Sequence, residues 1–256
     1  MKTAVLKVSY FGKPFSGFAV QKEALTVQGE INKALKILFK REILTTCAGR
    51  TDKGVHAIGQ VVSFFINDEE YCKYKNDNDV LRLSIDSLVH TDIHINNVCL
   101  LDYEFSARFD AKLREYKYII CNDVVPSVIY KSTSWHVPKL LDLDKIKQAS
   151  KYLIGEHDFK SFCVASSAKK LDCTDRCIKS ITLNENIEYN QRLISIDVVG
   201  NAFLHSMIRN IVGSLVEVGL GKHNPEWINV VLQSKDRSCA GLCAPACGLI
   251  FMSVVY

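Results

Sequence analysis

The order in which apolar patterns follow one another constrains the fold of this chain more than any other feature. Residues 4–10 read as a strand, and Val27, Ile31, Leu35 and Leu38 then recur at helical spacing. Two strands are predicted at Ile43–Ala48 and Gln60–Ile66. The polar stretch Asp68–Asp79 reads as a surface excursion, followed by a short helix and a strand near Ile93–Leu101. The same strand–helix–strand–strand order then returns. Tyr116–Cys121 is a strand, and Ile146, Ala149, Leu153 and Ile154 mark a helix that Gly155 stops. Ile178–Leu183 and Arg192–Val199 are strands. Phe203, Met207, Ile211 and Leu215 step by four along a longer helix. Asn224-Pro225 suits the start of another, carrying Ile228, Val231 and Leu232. Leu249–Val255 closes the chain as a strand. Hairpins between helices predict antiparallel α+β layers rather than a doubly wound sheet. The expected architecture is two similar halves, residues 1–104 and 105–256, each an antiparallel sheet with helices on one face.

Composition excludes several classes. With 256 residues, 48% of them hydrophobic, the chain can bury a substantial core. Only 5 Pro and 13 Gly, without low-complexity runs, exclude collagen-like and disordered classes. No apolar run approaches the roughly 18–20 residues of a membrane span, and Lys7 falls where a signal peptide needs its apolar region. A cytoplasmic location with reduced thiols is therefore expected. The spacing Cys239-x3-Cys243-x3-Cys247 invites a metal reading but lacks the C-x2-C pairs of zinc sites. Small buried side chains in a turn before the last strand are expected instead. A net charge of +4 permits nucleic-acid binding only if the bases cluster. Lys33, Lys36 and Lys40 on one helix face, with Lys112, Arg114, Lys117, Lys169 and Lys170, are candidate phosphate contacts. A solvated helix face explains the first three equally well.

Chemistry concentrates in the loop Gly49-Arg50-Thr51-Asp52-Lys53-Gly54-Val55-His56-Ala57. It sets a carboxylate, a guanidinium and an imidazole between two apolar strands, with glycines that permit unusual dihedrals or close approach. An Asp so placed can serve as nucleophile or base. It can equally form an Asx-turn in an ordinary hairpin loop. A metal site on Asp52 and His56 would need a third ligand that the nearby sequence does not supply.

This loop resembles the G-R-T-D-x-G-V-H-A signature of the tRNA pseudouridine synthase A family. The resemblance continues in Phe105-Ser106-Ala107-Arg108-Phe109 with Arg114-Glu115-Tyr116-Lys117-Tyr118, and in Asn201-Ala202-Phe203-Leu204 with Met207-Ile208-Arg209-Asn210-Ile211-Val212-Gly213. Ala244-Pro245 followed by Gly248-Leu249 resembles its closing strand. Elements in matching order run from about residue 4 to residue 255. The resemblance implies the pseudouridine synthase fold and isomerisation of uridines 38 to 40 in the tRNA anticodon stem-loop, by a homodimer that uses no metal or other cofactor. It implies that Asp52 is the nucleophile, that Tyr116 stacks on the target uracil, that Arg209 pairs with Asp52, and that Arg50 helps displace the base. His56 and His205 are expected to be hydrogen-bonded structural residues. The chain departs from the family pattern at Phe18, where a Trp is frequent, at Ser106 in place of His, and at His90, where a Pro is missing. Two alternatives remain at this level: a non-catalytic RNA-binding protein, and a metal-dependent hydrolase centred on Asp52 and His56.

Overall fold

The computed structural model describes all 256 residues, and they form an α+β fold of mostly antiparallel strands. Two compact units are present: Met1–Arg114 together with Phe251–Tyr256, and Glu115–Ile250. Residues 105–114, grouped with the second half from sequence, lie with the first unit. No helix is long and apolar enough to cross a membrane.

In the first unit β1 (Lys2–Tyr10) pairs antiparallel with β3 (His56–Ile66) and with β4 (Ile93–Leu101). The two-residue β2 (Thr46–Cys47) adds to β3 opposite Ser63 and Val62. Alternation sends Ala4, Leu6 and Val8 to the buried face, with Val62, Phe64, Ile93 and Ile95 from the neighbouring strands. That face is covered by α1 (Val27–Phe39), whose Thr26 side chain caps the helix by accepting from the Gly29 N–H. Val27, Ile31 and Leu35 bury as the spacing requires, joined by Ala34.

One expectation here is corrected: the strand expected at 43–48 shrinks to Thr46–Cys47, although Ile43 is buried. The polar stretch 68–79 is a mostly exposed surface segment, and it carries α2 (Asp68–Tyr74) and the start of α3 (Asn78–Asp86), helices not read from the sequence there. The polar residues themselves start these helices. Asn67 and Glu70 form a reciprocal capping box, and the Asp77 side chain accepts from the N–H groups of Asp79 and Val80.

In the second unit β5 (Leu113–Cys121, its first two residues belonging to the first unit), β9 (Gln191–Gly200), β8 (Asp175–Glu188) and β7 (Gly155–Asp158) follow in that spatial order. The short β6 (Trp135–His136) pairs parallel to β5. Helix α4 (Leu143–Ser150) packs on α6 (Met207–Gly219), between them the four-residue α5 (Ala165–Ala168), and α7 (Trp227–Ser234) follows. The strand β10 (Leu249–Val255) ends the chain as expected and lies next to β3 through its residues from Phe251.

Helix α6 is buried on nearly every side, and Gly213 shows how. A Cβ there would lie 1.7 Å from the Leu242 carbonyl oxygen, so only glycine admits the segment that crosses it. Phe203, counted into this helix by its spacing, lies outside it. The helix begins at Met207, after Ser206 in a left-handed conformation with φ 56°. Similarly, α7 begins at Trp227 rather than directly after Asn224-Pro225; that pair forms a turn in which the Trp227 N–H donates to the Asn224 carbonyl at 3.1 Å.

Candidate active site

The Gly49–Ala57 loop joins β2 to β3, and carbonyls in it and just before it are held by donors from elsewhere in the chain and by its own turn. The Ala48 carbonyl accepts from Arg114 Nε at 2.8 Å, and the Gly49 carbonyl from Gln60 Nε2 at 2.7 Å. The Thr51 carbonyl accepts from the Phe18 N–H at 3.1 Å, and the Asp52 carbonyl from the Val55 N–H at 3.1 Å. The Thr51 hydroxyl shares a buried 2.7 Å hydrogen bond with the Tyr10 hydroxyl. Burial pushes the Tyr10 phenol far above its ordinary range, so it remains a neutral hydroxyl. Gly54 closes the turn at φ 82°. Asp52 is half-buried and Arg50 exposed. A loop fixed at this many points presents its carboxylate in one geometry, as a nucleophile requires.

The Gly- and Pro-bearing turn after β1 is the other wall of this loop, a role its composition did not reveal. Gly12 approaches so closely that a Cβ would lie 2.0 Å from the Val55 carbonyl oxygen. Its N–H donates to His56 Nδ1 at 3.0 Å, which fixes the imidazole proton on Nε2. The His56 ring is buried and lies 4.7 Å from the Phe11 ring. His56 is thus hydrogen-bonded through Nδ1, which is engaged with the Gly12 N–H.

At the foot of the loop, Arg50 and Arg108 are both close enough to act on the Cys47 thiol. Burial nevertheless pushes that thiol up to about 11, outweighing both cations. Arg114, counted among the phosphate contacts from sequence, is not one: it is 8% exposed and donates to backbone carbonyls.

In the second unit β5 alternates cleanly, with Tyr116, Tyr118 and Ile120 on its buried face. Tyr116 is 6% exposed, and its ring meets Phe203 edge-on at 5.2 Å and 82°. Tyr118 donates its hydroxyl to the Pro245 carbonyl at 2.7 Å. Arg209 is half-buried on α6. Its Nε donates to the Ala244 carbonyl at 2.8 Å, and the Ala244 N–H donates back to the Arg209 carbonyl at 3.1 Å. That reciprocal pair sets the plane of the guanidinium. His205 is exposed, and its Nδ1 shares a 2.7 Å hydrogen bond with Ser167 Oγ. Lys117 is ion-paired with Asp197 at 3.1 Å, whereas Lys112, Lys169 and Lys170 are exposed.

Comparison with known proteins decides the family. The chain is 42% identical over 257 residues to tRNA pseudouridine synthase A of Francisella tularensis subsp. holarctica, covering 100% of this chain and 95% of that one. The chain belongs to the tRNA pseudouridine synthase A family. It is 39% identical to the tRNA pseudouridine synthase A of Pseudothermotoga lettingae over 254 residues, covering 99% of both chains. A family model described as tRNA pseudouridine synthase matches residues 149–256. Members of the tRNA pseudouridine synthase A family are isomerases, and this chain is one by that membership.

For this tRNA pseudouridine synthase A family member, the sequence singled out Arg50, Asp52, Tyr116 and Arg209 as candidates but not the residues that hold the loop around Asp52. Tyr10, Gly12, Phe18 and Gln60 act on the loop from 11 to 44 residues away. Of these, only Phe18 stood out in the sequence, as a departure from the family pattern. The cysteine trio is also corrected. Cys239 and Cys243 are exposed and Cys247 is only half-buried, its thiol donating to the Ser134 carbonyl. No three His, Cys, Asp or Glu side chains converge as a metal site would need.

Proposed function

We propose that the chain converts uridines at positions 38 to 40 of the tRNA anticodon stem-loop to pseudouridine, with Asp52 as the nucleophile. Family membership supports tRNA pseudouridylation, and the observation that carries the Asp52 assignment is its half-buried position in a loop pinned at the carbonyls of residues 48, 49, 51 and 52. In the reaction the N–C glycosidic bond breaks, the freed uracil turns within the site, and a C–C bond to the same ribose forms as the ring carbon loses its proton. The Asp52 carboxylate attacks either the ribose C1′ or the uracil ring. The ring carbon's proton goes to solvent and the freed ring nitrogen takes one up, so product and substrate have the same composition and no co-substrate enters the balance.

The target must leave its stack, at a cost of a few kcal/mol. In this reading Arg50 takes the vacated space, and the exposed position of its guanidinium supports that role. Tyr116 supplies a platform worth roughly 1–3 kcal/mol per stacked base, its orientation held by Phe203. Arg209 pairs with Asp52 and keeps it ionised. A tRNA is much larger than one 28.8 kDa chain, and we assign the active form to a cytoplasmic homodimer that reads the anticodon arm with both copies. Sedimentation of a fully active monomer would overturn the dimer.

Asp52→Asn tests the whole reading. The side-chain amide keeps size and hydrogen bonding but is a far poorer nucleophile. Tritium release from ring-labelled uridine in tRNA should stop, while tRNA binding at fixed salt stays within a few-fold, because affinity resides in many phosphate contacts. Turnover at the wild-type rate would remove Asp52 from the mechanism.

A further inference from the structure

We propose that Arg114 is a positioning residue, holding the backbone stem from which Asp52 projects. The inference rests on the nucleophile reading of Asp52. Its guanidinium donates to three carbonyls, one from a distant stretch and two from the segment just before it: Ala48 through Nε at 2.8 Å, Arg108 through Nη2 at 2.9 Å, and Ala111 through Nη1 at 3.2 Å. A planar fork with five N–H donors can satisfy several acceptors in fixed directions at once, which a single ammonium cannot. The charge is buried, a placement that costs free energy wherever an apolar side chain would fill the same space. Its worth therefore lies in what the carbonyls are attached to.

Ala48 stands four residues before Asp52. Its N–H donates to the Val61 carbonyl, and the next carbonyl, that of Gly49, takes the Gln60 amide. Arg114 completes this set and anchors the loop against the Phe105–Phe109 block. Through the Arg108 carbonyl it also holds the backbone of that block. One side chain thus ties the stem from which Asp52 projects to the segment just before β5. Loosening it displaces Asp52 without removing any group that touches substrate, and displacements near 1 Å cost about 100-fold in rate.

The test uses the full-length protein at saturating concentration over unmodified tRNA labelled in the uracil ring, in single turnover. Arg114→Gln should lower the rate about 100-fold and Arg114→Lys about 10-fold, with tRNA affinity and its salt slope unchanged. Hydrogen exchange at the Val55 amide, which closes the turn onto Asp52, should quicken in Arg114→Lys at an unchanged melting temperature. Should Arg114→Gln fail to fold, Arg114→Lys decides alone. Weaker binding with a salt slope reduced by about one and a normal rate at saturation would make Arg114 a phosphate contact and overturn the proposal. A rate that merely follows the folded fraction, and recovers on cooling, would overturn it too. Asp52→Asn runs alongside. If it is active, the nucleophile reading has failed whatever Arg114 does; if it is inactive while both Arg114 variants react normally, the positioning inference alone has failed.

Discussion

Gly12→Ala isolates the contact between the turn after β1 and the Asp52 loop. The new Cβ would lie 2.0 Å from the Val55 carbonyl oxygen and 2.5 Å from its carbon, both backbone atoms that cannot rotate away. The two segments must part by more than an ångström. Such overpacking costs about 1–3 kcal/mol. The separation also breaks the 3.0 Å bond from the Gly12 N–H to His56 Nδ1, worth roughly 1 kcal/mol more. The total is about 2–4 kcal/mol, and at about 2–4 °C per kcal/mol the melting temperature should fall by roughly 5–15 °C. Gly221→Ala is the control. Gly221 sits at φ 74° with nothing within 4 Å of a Cβ, so alanine there meets only backbone strain of about 1–2 kcal/mol. Thermal melts of both variants are compared with tritium release measured well below either transition. Gly12→Ala should melt lower than Gly221→Ala and lose about 100-fold in turnover, because Val55 carries the turn onto Asp52. Gly221→Ala should keep its rate. A Gly12→Ala protein that melts within a degree of wild type, or above Gly221→Ala, would refute the clash and the idea that this turn braces the loop.

Tyr116→Phe keeps the ring and its edge-on contact with Phe203, so it should hold base stacking that Tyr116→Ala loses, a difference of about 1–3 kcal/mol in kcat/KM; equal losses would reject the platform. Arg209→Lys keeps charge but not the fork that Ala244 orients, so its rate should fall between wild type and Arg209→Ala; identical rates in Lys and Ala would show that charge does not matter there. The Arg41 guanidinium bonded to Glu70 outweighs burial and holds the Glu70 carboxyl below its ordinary range. A depressed folded-state value means the stability is full above the unfolded value near ~4.3 and is lost as pH falls through the lowered one. Glu70→Gln should therefore cost about 1 kcal/mol at pH 7 in urea melts, and the gap to wild type should close below about pH 4; a gap independent of pH would remove the ion pair from the account.

What the sequence made legible were patterns whose cause is local. Apolar spacing located α1 and gave β10 from Leu249 to Val255, because those side chains face one core along one element. Residue type singled out Asp52 and Arg50, because a carboxylate and a guanidinium between glycines carry their chemistry wherever the loop goes. Where two local rules met, the weaker signal was lost. The polarity of Asp68–Asp79 marked the surface but not the two helices there, although Asn67, Glu70 and Asp77 cap them. Phe203 fitted a step of four yet lies outside α6, and its ring is turned to Tyr116 instead. The larger loss concerns the supports of the candidate site. Gly12 is required by a carbonyl 43 residues away, Tyr10 bonds a hydroxyl 41 residues away, and Arg114 reaches a carbonyl 66 residues away. Each of these residues answers to backbone or hydroxyl groups that every sequence contains, so nothing beside it marks the partner. A basic residue at an alternating strand position reads as solvent-facing because that is where charge usually goes. Arg114 breaks the rule because folding brings the Ala48 carbonyl, at the stem of the Asp52 loop, to a guanidinium that the nearby Arg108 and Ala111 carbonyls already hold.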